Sequence, residues 1–501
     1  MMDELDEIKL LLKRYNQKIK FSRSPIAVVL GAGHGKRIKS ATSKMLHEIW
    51  GVPTIKRVIR SVKSGLQSQN QIVVVGIKAA DVMNALSGEK GHFFVYQGLQ
   101  KGTGHAVQQA VKIFPQRLAA DVYIFPGDMG IITAEAIRKF KNDFEKSAAD
   151  MMVLTSIYEG PADKNYYGRI VRVPPTDRNG VPAGEEKGKV IEIKEYKDIL
   201  ALAEDKSYEI RFKGRFYSFS KKTLIENSEY NSGVFAFKGR HLKAHVSSIR
   251  ANNVQHEIYL TDLIEIFNRR GLSVQASRVM DSTVTLAFNN KSVLKEMESI
   301  VRRNIYEQLK DIVSIKDEDN FYISEEGVSQ ILSLDKTAPL DITLEEGVHL
   351  GPGVKINRGL VVKTNATLEG NIVLGQNVVI HENVVLSTYP NQQLKIGDET
   401  QIFAGDIVKG NITIGKQVRI ESGVNITGSD EFPVWIGDHV LIKGTSYIFG
   451  SRIENEVQIE HSILIRKFVR RIVKLDGLVQ KVRYVLPQPE GLDSITEIPH
   501  A

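Results

Sequence analysis

The hydrophobic positions of this 501-residue chain follow three different periods, and each period predicts a different structure. Near the N-terminus the apolar residues recur at steps of three and four, which is the spacing of one face of an α-helix. These residues are Leu5, Ile8, Leu12, Tyr15 and Ile19. We therefore expect residues 1–24 to form an amphipathic helix that packs on another part of the protein.

Residues 25–315 alternate short β-branched or aromatic runs with helical patterns. The strand candidates are 26–30, 72–75, 93–96, 122–125 and 151–157. Near-continuous apolar strands separated by helices predict a mostly parallel sheet covered by helices, an α/β domain of Rossmann-like type. In such folds ligands bind at the carboxyl ends of the strands.

The third pattern is a period of six. Aliphatic residues recur at every sixth position from Leu344 to Leu386, from Ile396 to Ile426 and from Ile436 to Ile448. A hexapeptide period predicts a parallel β-helix over residues 341–468, although the period alone does not fix its handedness. The two interruptions, within 388–393 and 429–433, predict loops. Residues 316–340 then form a linker, and residues 469–501 form a tail, part of which we expect to cover the last coil.

Composition and charge exclude several classes of site. The chain has no cysteine, which excludes disulfides and thiolate chemistry. The first residues are acidic where a secretory signal is basic, and no apolar run reaches the ~20 residues of a membrane span, so we expect a cytoplasmic protein without a span. The net charge of +8 comes from scattered basic residues, which favours phosphate substrates over a nucleic-acid partner.

A glycine-rich turn is the first candidate site. The strand 26–30 ends at Leu30 and runs into Gly31, Ala32 and Gly33, and the basic residues Arg37 and Lys44 follow. Glycines let the backbone approach phosphate oxygens, their amides can donate to them, and a helix N-terminus beyond the turn would add positive potential. The turn fits neither a dinucleotide fingerprint nor a P-loop, and such a turn is also found without any phosphate.

Several segments resemble a known family. Residues 30–37 and 43–47 are similar to the signature of the sugar-1-phosphate nucleotidyltransferases. The Lys-x-Leu-His form at 44–47 and Gly-Val-Pro at 51–53 resemble the bacterial bifunctional N-acetylglucosamine-1-phosphate uridylyltransferases and acetyltransferases. Further segments match in order over about residues 25–300, namely 97–106, 127–128, 167–170, Glu195, 231–233 and 259–262.

This resemblance implies a reaction and its residues. UTP and N-acetylglucosamine 1-phosphate would be the substrates, Mg²⁺ the cofactor, and UDP-N-acetylglucosamine and pyrophosphate the products. The implied catalytic residues are Arg37, Lys44 and Asp128. The implied nucleotide-binding residues are Leu30, Gly31, Ala32, Gly33, Gln97, Gly102 and Thr103. The implied sugar-binding residues are Gly168, Glu195 and Asn231, and the implied metal ligands are Asp128 and Asn289.

The local sequence leaves competing interpretations open for several of these residues. Asp128 ends a buried strand, where a lone carboxylate is a poor core residue and a good Mg²⁺ ligand. Asn289 also fits a helix cap before Lys291. Gln97 also fits a polar strand end, and Glu195 an exposed position of an alternating strand.

The chain also departs from the family pattern. Gly31 and Lys36 replace the usual Ala and Ser or Thr, and residues 200–229 are extra material beside the sugar-binding segments. The extra material leaves substrate identity open, so another pair of nucleoside triphosphate and sugar 1-phosphate is an alternative. A non-catalytic assembly that senses nucleotide sugars is a second alternative.

In the family the β-helix is left-handed, forms trimers and transfers an acetyl group. The acetyl-transfer motif places a tyrosine three residues after a histidine, and no β-helix histidine of this chain has one; these histidines are His349, His381, His439 and His461. We therefore expect the β-helix to have a structural, oligomerising role in a homo-oligomer, for which the family implies a trimer.

Overall fold

The computed structural model describes residues 4–33 and 38–485. The chain divides into two compact units, Met1–Glu298 and Ser299–Ala501. The α-helices are α1 Glu4–Tyr15, α2 Thr54–Leu66, α3 Ala79–Ala85, α4 Thr103–Val111, α5 Ala134–Lys146, α6 Tyr196–Leu200, α7 Lys221–Glu226, α8 Gly239–His245, α9 Leu263–Arg269, α10 Lys291–Leu309 and α11 Glu325–Asp335. Among the described residues, no helix combines the length and the apolar composition that crossing a bilayer requires.

The first unit is built on one sheet. The strands of this unit are β1 Ile26–Leu30, β2 Glu48–Ile49, β3 Val52–Pro53, β4 Gln71–Val75, β5 His92–Tyr96, β6 Asp121–Pro126, β7 Met151–Ile157, β8 Arg169–Arg172, β9 Val190–Lys194, β10 Tyr208–Phe212, β11 Arg215–Phe219, β12 Glu229–Lys238 and β13 Val274–Arg278. The main sheet runs in the order β13-β7-β12-β6-β1-β4-β5. Only β12 runs antiparallel to its neighbours along this path, so the sheet is mostly parallel and Rossmann-like, as predicted.

Alternate residues of the central strands are buried on opposite faces of this sheet. In β1, Ala27 and Val29 pack with α2 and α5 in one core cluster, whereas Ile26 and Val28 pack with α4 and α9 in another. Strands that are covered on both faces have no polar side, which explains the near-continuous apolar runs in the sequence. Because helices cover both faces of the sheet, a binding site can form only at the ends of its strands.

The N-terminal helix is shorter than the 1–24 segment assigned to it. It ends at Tyr15, so Ile19 lies beyond it. Ile8 and Leu11 are its buried residues, whereas Leu5 is 44% exposed. The helix packs on the α2 and α5 face of the sheet, and Tyr15 Oη donates to Asn84 Oδ1 at 3.0 Å. It is therefore part of the first unit's core.

The second unit consists of three stacked parallel sheets, the left-handed β-helix that was predicted. Its strands are β14 Ser314–Ile315, β15 Phe321–Ile323, β16 Thr343–Leu344, β17 Val348–Leu350, β18 Val354–Lys355, β19 Val361–Val362, β20 Thr367–Glu369, β21 Ile372–Leu374, β22 Val379–Ile380, β23 Val385–Ser387, β24 Leu394–Ile396, β25 Gln401–Ile402, β26 Ile407–Gly410, β27 Ile412–Ile414, β28 Arg419–Ile420, β29 Asn425–Gly428, β30 Val434–Ile436, β31 Leu441–Ile442, β32 Tyr447–Phe449, β33 Arg452–Ile453, β34 Gln458–Ile459, β35 Ile463–Ile465 and β36 Phe468–Val469.

Every aliphatic residue of the six-residue pattern is buried, from Leu344 to Ile448. The two predicted loops occupy 388–393 and 429–433, between consecutive strands. The stacking begins before residue 341, because β14 and β15 pair with β16 and β17. Residues after Val469 cover the last coil, where Glu460 N–H donates to Val482 O at 2.9 Å and Ile463 N–H donates to Tyr484 O at 2.7 Å.

Candidate active site

A cavity of about 660 Å³ opens at the carboxyl ends of β1, β5 and β6 in the first unit. Eleven of the residues assigned from the sequence line it: Leu30, Ala32, Gly33, Lys44, Gln97, Gly102, Thr103, Asp128, Glu195, Asn231 and Asn289. Parallel strands bring these residues together because their carboxyl ends share one edge of the sheet. The cavity therefore joins the assigned nucleotide, sugar and metal residues in one place.

The glycine-rich turn differs from its prediction in two respects. Gly31 N–H donates to Val74 O at 2.8 Å, so this amide is engaged by the sheet and is not available to a phosphate. A Cβ on Gly31 would lie 2.9 Å from Ile55 Cδ1, which gives the glycine a packing role. The predicted α-helix beyond the turn is also wrong for residues 38–53, whose one helical segment is the 3-10 helix Lys44–Leu46. Arg37 lies outside the described residues.

The charged centre of the cavity is formed by Lys44, Asp128 and Asn289. Lys44 Nζ lies 2.5 Å from Asp128 Oδ2 and 2.9 Å from Asn289 Oδ1. The Lys44 and Asp128 side chains are only 8% and 15% exposed. A carboxylate oxygen and an amide oxygen thus meet at one point and already stabilise a positive charge there.

This arrangement fits a magnesium ion. Mg²⁺ prefers oxygen ligands, and it is usually held by one or two protein carboxylates or amides while water and substrate phosphates complete its shell. Among the described residues no group of three or more acidic or histidine side chains could hold a metal. The cavity offers two oxygens of the kind that Mg²⁺ prefers, Asp128 Oδ2 and Asn289 Oδ1.

Local structure explains why Asp128 and Asn289 face the cavity. Asp128 follows β6, and Gly127 N–H donates to Leu30 O at 3.0 Å, which holds the end of β6 against the end of β1. The helix-capping alternative for Asn289 is not observed. Its neighbour Asn290 is the cap of α10, because Asn290 Oδ1 accepts from Val293 N–H at 3.0 Å. Asn289 is thereby left to point at Lys44.

The nucleotide end of the cavity is organised around Gln97, which is only 3% exposed. Its Nε2 lies 2.9 Å from His105 Nδ1 and donates to Gly102 O at 3.4 Å. Burial lowers the pKa of His105, so the imidazole is neutral at neutral pH. Gly102 has a φ of +101°, and a Cβ there would lie 2.6 Å from Ile258 O, so only glycine fits. Gln97 is therefore held rigidly rather than being a loose strand end.

The end of the cavity that the sequence assigns to the sugar is lined by Glu195 and Asn231. Glu195 directly follows β9 and lines the cavity, in contrast to the alternative of an exposed strand position. Asn231 N–H donates to Gly168 O at 2.9 Å. Gly168 itself does not line the cavity, but a Cβ there would lie 3.0 Å from Glu195 Oε1. These contacts fix the three residues relative to one another.

The environment of Glu195 is strongly acidic. Burial raises the pKa of Glu195 to about 7, and the neighbouring carboxylates Asp198 and Asp262 add to the shift. The opposing charge is Arg169, which is fully buried. Its guanidinium donates to Asn165 O at 2.7 Å and to Tyr167 O, so it also holds the loop that precedes Gly168.

The extra material at 200–229 supports the sugar end from outside. None of these residues lines the cavity. Tyr208 Oη, on the hairpin formed by β10 and β11, donates to Glu192 Oε1 at 2.8 Å and accepts from Lys194 Nζ at 3.0 Å. Glu192 and Lys194 belong to β9, the strand that leads to Glu195. The insertion therefore braces this strand.

Sequence reasoning missed several residues that line the cavity, among them Lys197, Gln255, Glu257 and Thr261. Lys197 Nζ donates to Gln255 Oε1 at 2.6 Å, which connects α6 to the loop before α9. Lys197 and Gln255 are 58 positions apart in the chain, so no local sequence pattern could have paired them.

The β-helix histidines occupy two kinds of position. His349 stacks on Tyr322 at 4.4 Å and His381 on Phe403 at 4.1 Å between ring centroids. His439 and His461 occupy corners with positive φ. Tyr389 lies on the loop 388–393, with Lys409 Nζ 4.4 Å from its ring centroid.

Comparison with known proteins gives consistent relatives. Residues 27–168 match the MobA-like NTP transferase domain. The chain is 34% identical over 302 residues to the bifunctional protein GlmU of Acetivibrio thermocellus, with 60% of this chain and 57% of that protein covered. It is 32% identical over 303 residues to GlmU of Bacillus licheniformis, with 60% and 58% covered. The match thus spans less than two thirds of the relatives' length.

A solved structure, a putative glucose-1-phosphate thymidylyltransferase from Bacillus anthracis, aligns with a TM-score of 0.39 and 14% identity over 56% of this chain and 95% of that one. The resemblance found in the sequence is confirmed by the domain match and the GlmU relatives. The first unit of this chain is thus similar in sequence to a MobA-like NTP transferase domain and to the GlmU proteins.

Proposed function

We propose that this protein transfers a uridylyl group from UTP to N-acetylglucosamine 1-phosphate, giving UDP-N-acetylglucosamine and pyrophosphate. One observation carries the proposal: a single cavity joins the Lys44, Asp128 and Asn289 cluster to Gln97 at one end and to Glu195 at the other. Such a cavity suits two reactants whose phosphate groups must meet at a positively charged centre. The sequences of the GlmU relatives support the same reaction class.

The chemistry requires positioning and charge neutralisation more than covalent participation by the protein. A phosphate oxygen of the sugar 1-phosphate attacks the α-phosphorus of the nucleotide. The bond from the α-phosphorus to the bridging oxygen breaks, and pyrophosphate leaves. The attacking phosphate is already ionised at neutral pH, so no general base is needed.

Asp128 and Asn289 would hold Mg²⁺, which supplies positive charge to the crowded phosphates when it is bound. Lys44 has a second role in this proposal. Its ammonium neutralises Asp128 in the structure, and with the substrates bound it would pair with a phosphate oxygen instead. Arg37, seven residues earlier in the chain, would add a second cation.

Gln97 would contact the base and Glu195 with Asn231 the sugar. The contacts of Gln97 Nε2 to His105 and Gly102 fix the carboxamide and leave its Oε1 as a hydrogen-bond acceptor for N3–H of uracil. Glu195 and Asn231 would receive hydroxyl or acetamide groups. Because the insertion does not line the cavity, nothing in it adds a contact that would favour a different sugar.

The β-helix would serve assembly, as an oligomerising element, since the motif for acetyl transfer is missing. The second candidate function keeps the reaction and changes the substrates to another nucleoside triphosphate and sugar 1-phosphate. This second function would use the same cavity, and a direct assay with different substrates distinguishes it from the first.

The test is pyrophosphate release by the purified full chain with Mg²⁺. We would combine each common ribonucleoside triphosphate and dTTP with N-acetylglucosamine 1-phosphate, glucose 1-phosphate and mannose 1-phosphate. A parallel assay would measure thiol release from acetyl-CoA with glucosamine 1-phosphate.

We expect pyrophosphate release with UTP and N-acetylglucosamine 1-phosphate and no thiol release. A different active pair would keep the reaction and reassign the two ends of the cavity. No release with any pair, from a folded protein, would overturn the catalytic function and favour a nucleotide-sugar-sensing assembly. Thiol release would show that the β-helix is catalytic.

A further inference from the structure

The tail of the second unit carries a protruding hairpin that the proposed reaction does not use. Residues 472–480 form this tail hairpin: Gln480 N–H donates to Ile472 O at 2.8 Å and Lys474 N–H donates to Leu478 O at 2.9 Å. Asp476 and Gly477 make the turn, and Gly477 has a φ of +81°. The residues that follow return to the last coil, so the hairpin is anchored at both ends.

The tip of the tail hairpin is apolar and exposed. Leu475 is fully exposed and Leu478 is 66% exposed, and Ile472 and Val473 behind them are 53% and 47% exposed. Isolated exposed leucines are common on protein surfaces. Four large apolar side chains exposed on the nine-residue tail hairpin are uncommon, and they mark a contact surface.

The tail hairpin lies in a basic stretch of the chain. Residues 466–483 contain seven lysines and arginines and one acidic residue, Asp476. Three of the cations are neutralised, because Arg471 pairs with Glu456 while Lys481 and Arg483 pair with Glu460. Within the described part of the chain the other four form no ion pair with a carboxylate; they are Arg466, Lys467, Arg470 and Lys474.

We propose that the tail hairpin docks this protein on an anionic lipid surface, with Leu475 and Leu478 inserted among the acyl chains and the four unpaired cations facing the headgroups. Interfacial binding needs both apolar side chains that enter the membrane and basic residues that meet anionic lipid, and this hairpin presents the two together. Insertion is shallow and reversible, which is compatible with the lack of a spanning helix among the described residues.

Two other occupants fit less well. A nucleic acid would be met by free aromatic side chains that stack on bases, whereas the tip is made of leucines and the flanking rings of Phe468 and Tyr484 already lie against Arg470 and Lys467. A second copy of the chain, packed tip to tip, would bring two sets of unpaired cations together, which is unfavourable. Both remain as outcomes of the experiment.

The experiment is co-sedimentation of the full chain with vesicles of phosphatidylcholine alone or with about one third phosphatidylglycerol. The test variants are Leu475→Asp with Leu478→Asp, and Lys474→Glu with Arg470→Glu. The controls are Leu200→Asp and Lys222→Glu, exposed residues of the first unit outside the cavity. Each variant is also checked for its oligomeric state and for unfolding followed by Trp435 fluorescence.

We expect binding to the anionic vesicles only, with a loss of roughly tenfold or more in each test variant and none in the controls. Raising the salt concentration to about 0.5 M should remove most of the binding, since screening weakens the headgroup contacts. Equal binding to neutral vesicles, or no binding to anionic ones, would overturn the proposal. So would loss of the oligomer in the leucine variant, or competition by RNA that the leucine variant does not weaken.

Discussion

Asp128 in the first unit and Asp406 in the β-helix are both largely buried, but only one of them has a cation beside it. Asp128 in the first unit lies at the cavity with Lys44 Nζ 2.5 Å from its Oδ2. Asp406 in the β-helix is 0% exposed, and its Oδ1 accepts from Val424 N–H at 2.7 Å. Among the described residues, Asp406 Oδ2 has no hydrogen-bond partner. One carboxylate is paired with a cation, whereas the other has none.

The difference shows what a buried charge is used for in each unit. In the proposed function, the cation that pairs with Asp128 lies where the phosphates of the two substrates would meet. Asp406 stands in a column of coil positions with Ala366, Val384, Val424 and Ser446, all of them buried. Burial raises the pKa of Asp406 to about 7. A charge in that column has no substrate to meet and can only lower stability.

The largest effect is expected at Asp128. Asp128→Asn keeps an oxygen for Lys44 but removes the negative charge that would hold Mg²⁺ in the proposed function. We expect kcat/KM to fall by about 10⁴-fold, or about 5.5 kcal/mol of transition-state stabilisation. Pyrophosphate release measures the rate, and titration with Mn²⁺ monitored by electron paramagnetic resonance measures metal binding without turnover.

The matched control for Asp128 is Asp121→Asn. Asp121 begins the same strand, β6, and pairs with Lys238 at 3.0 Å, away from the cavity. This variant should keep both activity and Mn²⁺ binding. Wild-type activity in Asp128→Asn would exclude Asp128 from the mechanism, and equal losses in both variants would indicate damage to β6.

The sequence predicted the β-helix better than the cavity, for a physical reason. Each coil repeats one local rule, an inward aliphatic side chain at every sixth residue, so the period alone placed Leu344 and all the later members in the core. Asp406 is a charged residue in the column of coil positions that contains Val384 and Val424, and this column is not part of the six-residue pattern. The burial of Asp406 was therefore not visible in the sequence.

The cavity depends on contacts between distant parts of the chain. Lys44 and Asn289 are 245 residues apart, and no local period relates them. The family resemblance supplied that grouping, and the physical properties of the residues alone left Asn289 open to a capping role. Lys197 and Gln255 belong to no motif that was recognised, so they were missed.

The second effect tests the cost of the Asp406 charge. Its folded-state pKa of about 7 lies above the ordinary aspartate value, so the folded state binds the proton more tightly than the unfolded state does. Stability should therefore fall as pH rises from about 4 to about 7 and stay low above that range. Asp406→Asn keeps the acceptor for Val424 and should stabilise the β-helix by about 4 kcal/mol at pH 8, with little effect at pH 4.

The unfolding of the β-helix can be followed separately from that of the first unit while the chain is kept whole. The protein has two tryptophans, so Trp50→Phe leaves Trp435 in β30 as the reporter of urea unfolding. Asp398 is the matched control, because its pKa is lowered chiefly by hydrogen bonding to Lys416. Asp398→Asn should not be stabilising at pH 8. A gain in both variants would show that net charge, and not burial, sets the effect.

The smallest effect concerns Glu195 at the sugar end. Its pKa of about 7 means that the carboxyl becomes ionised as pH rises from 6 to 8. An ionised carboxylate makes stronger hydrogen bonds to sugar hydroxyls than a neutral group does, so the affinity for the sugar 1-phosphate should increase over that range.

Glu195→Gln has no carboxyl group to ionise at this position. We expect it to bind about tenfold more weakly at pH 8, or about 1.4 kcal/mol, and to lose the pH dependence between 6 and 8. Calorimetric titration at pH 6, 7 and 8 measures this, with exposed Glu159→Gln as the control. If Glu195→Gln kept the wild-type pH dependence, another group, such as Asp262, whose pKa is also raised to about 7, would be its source.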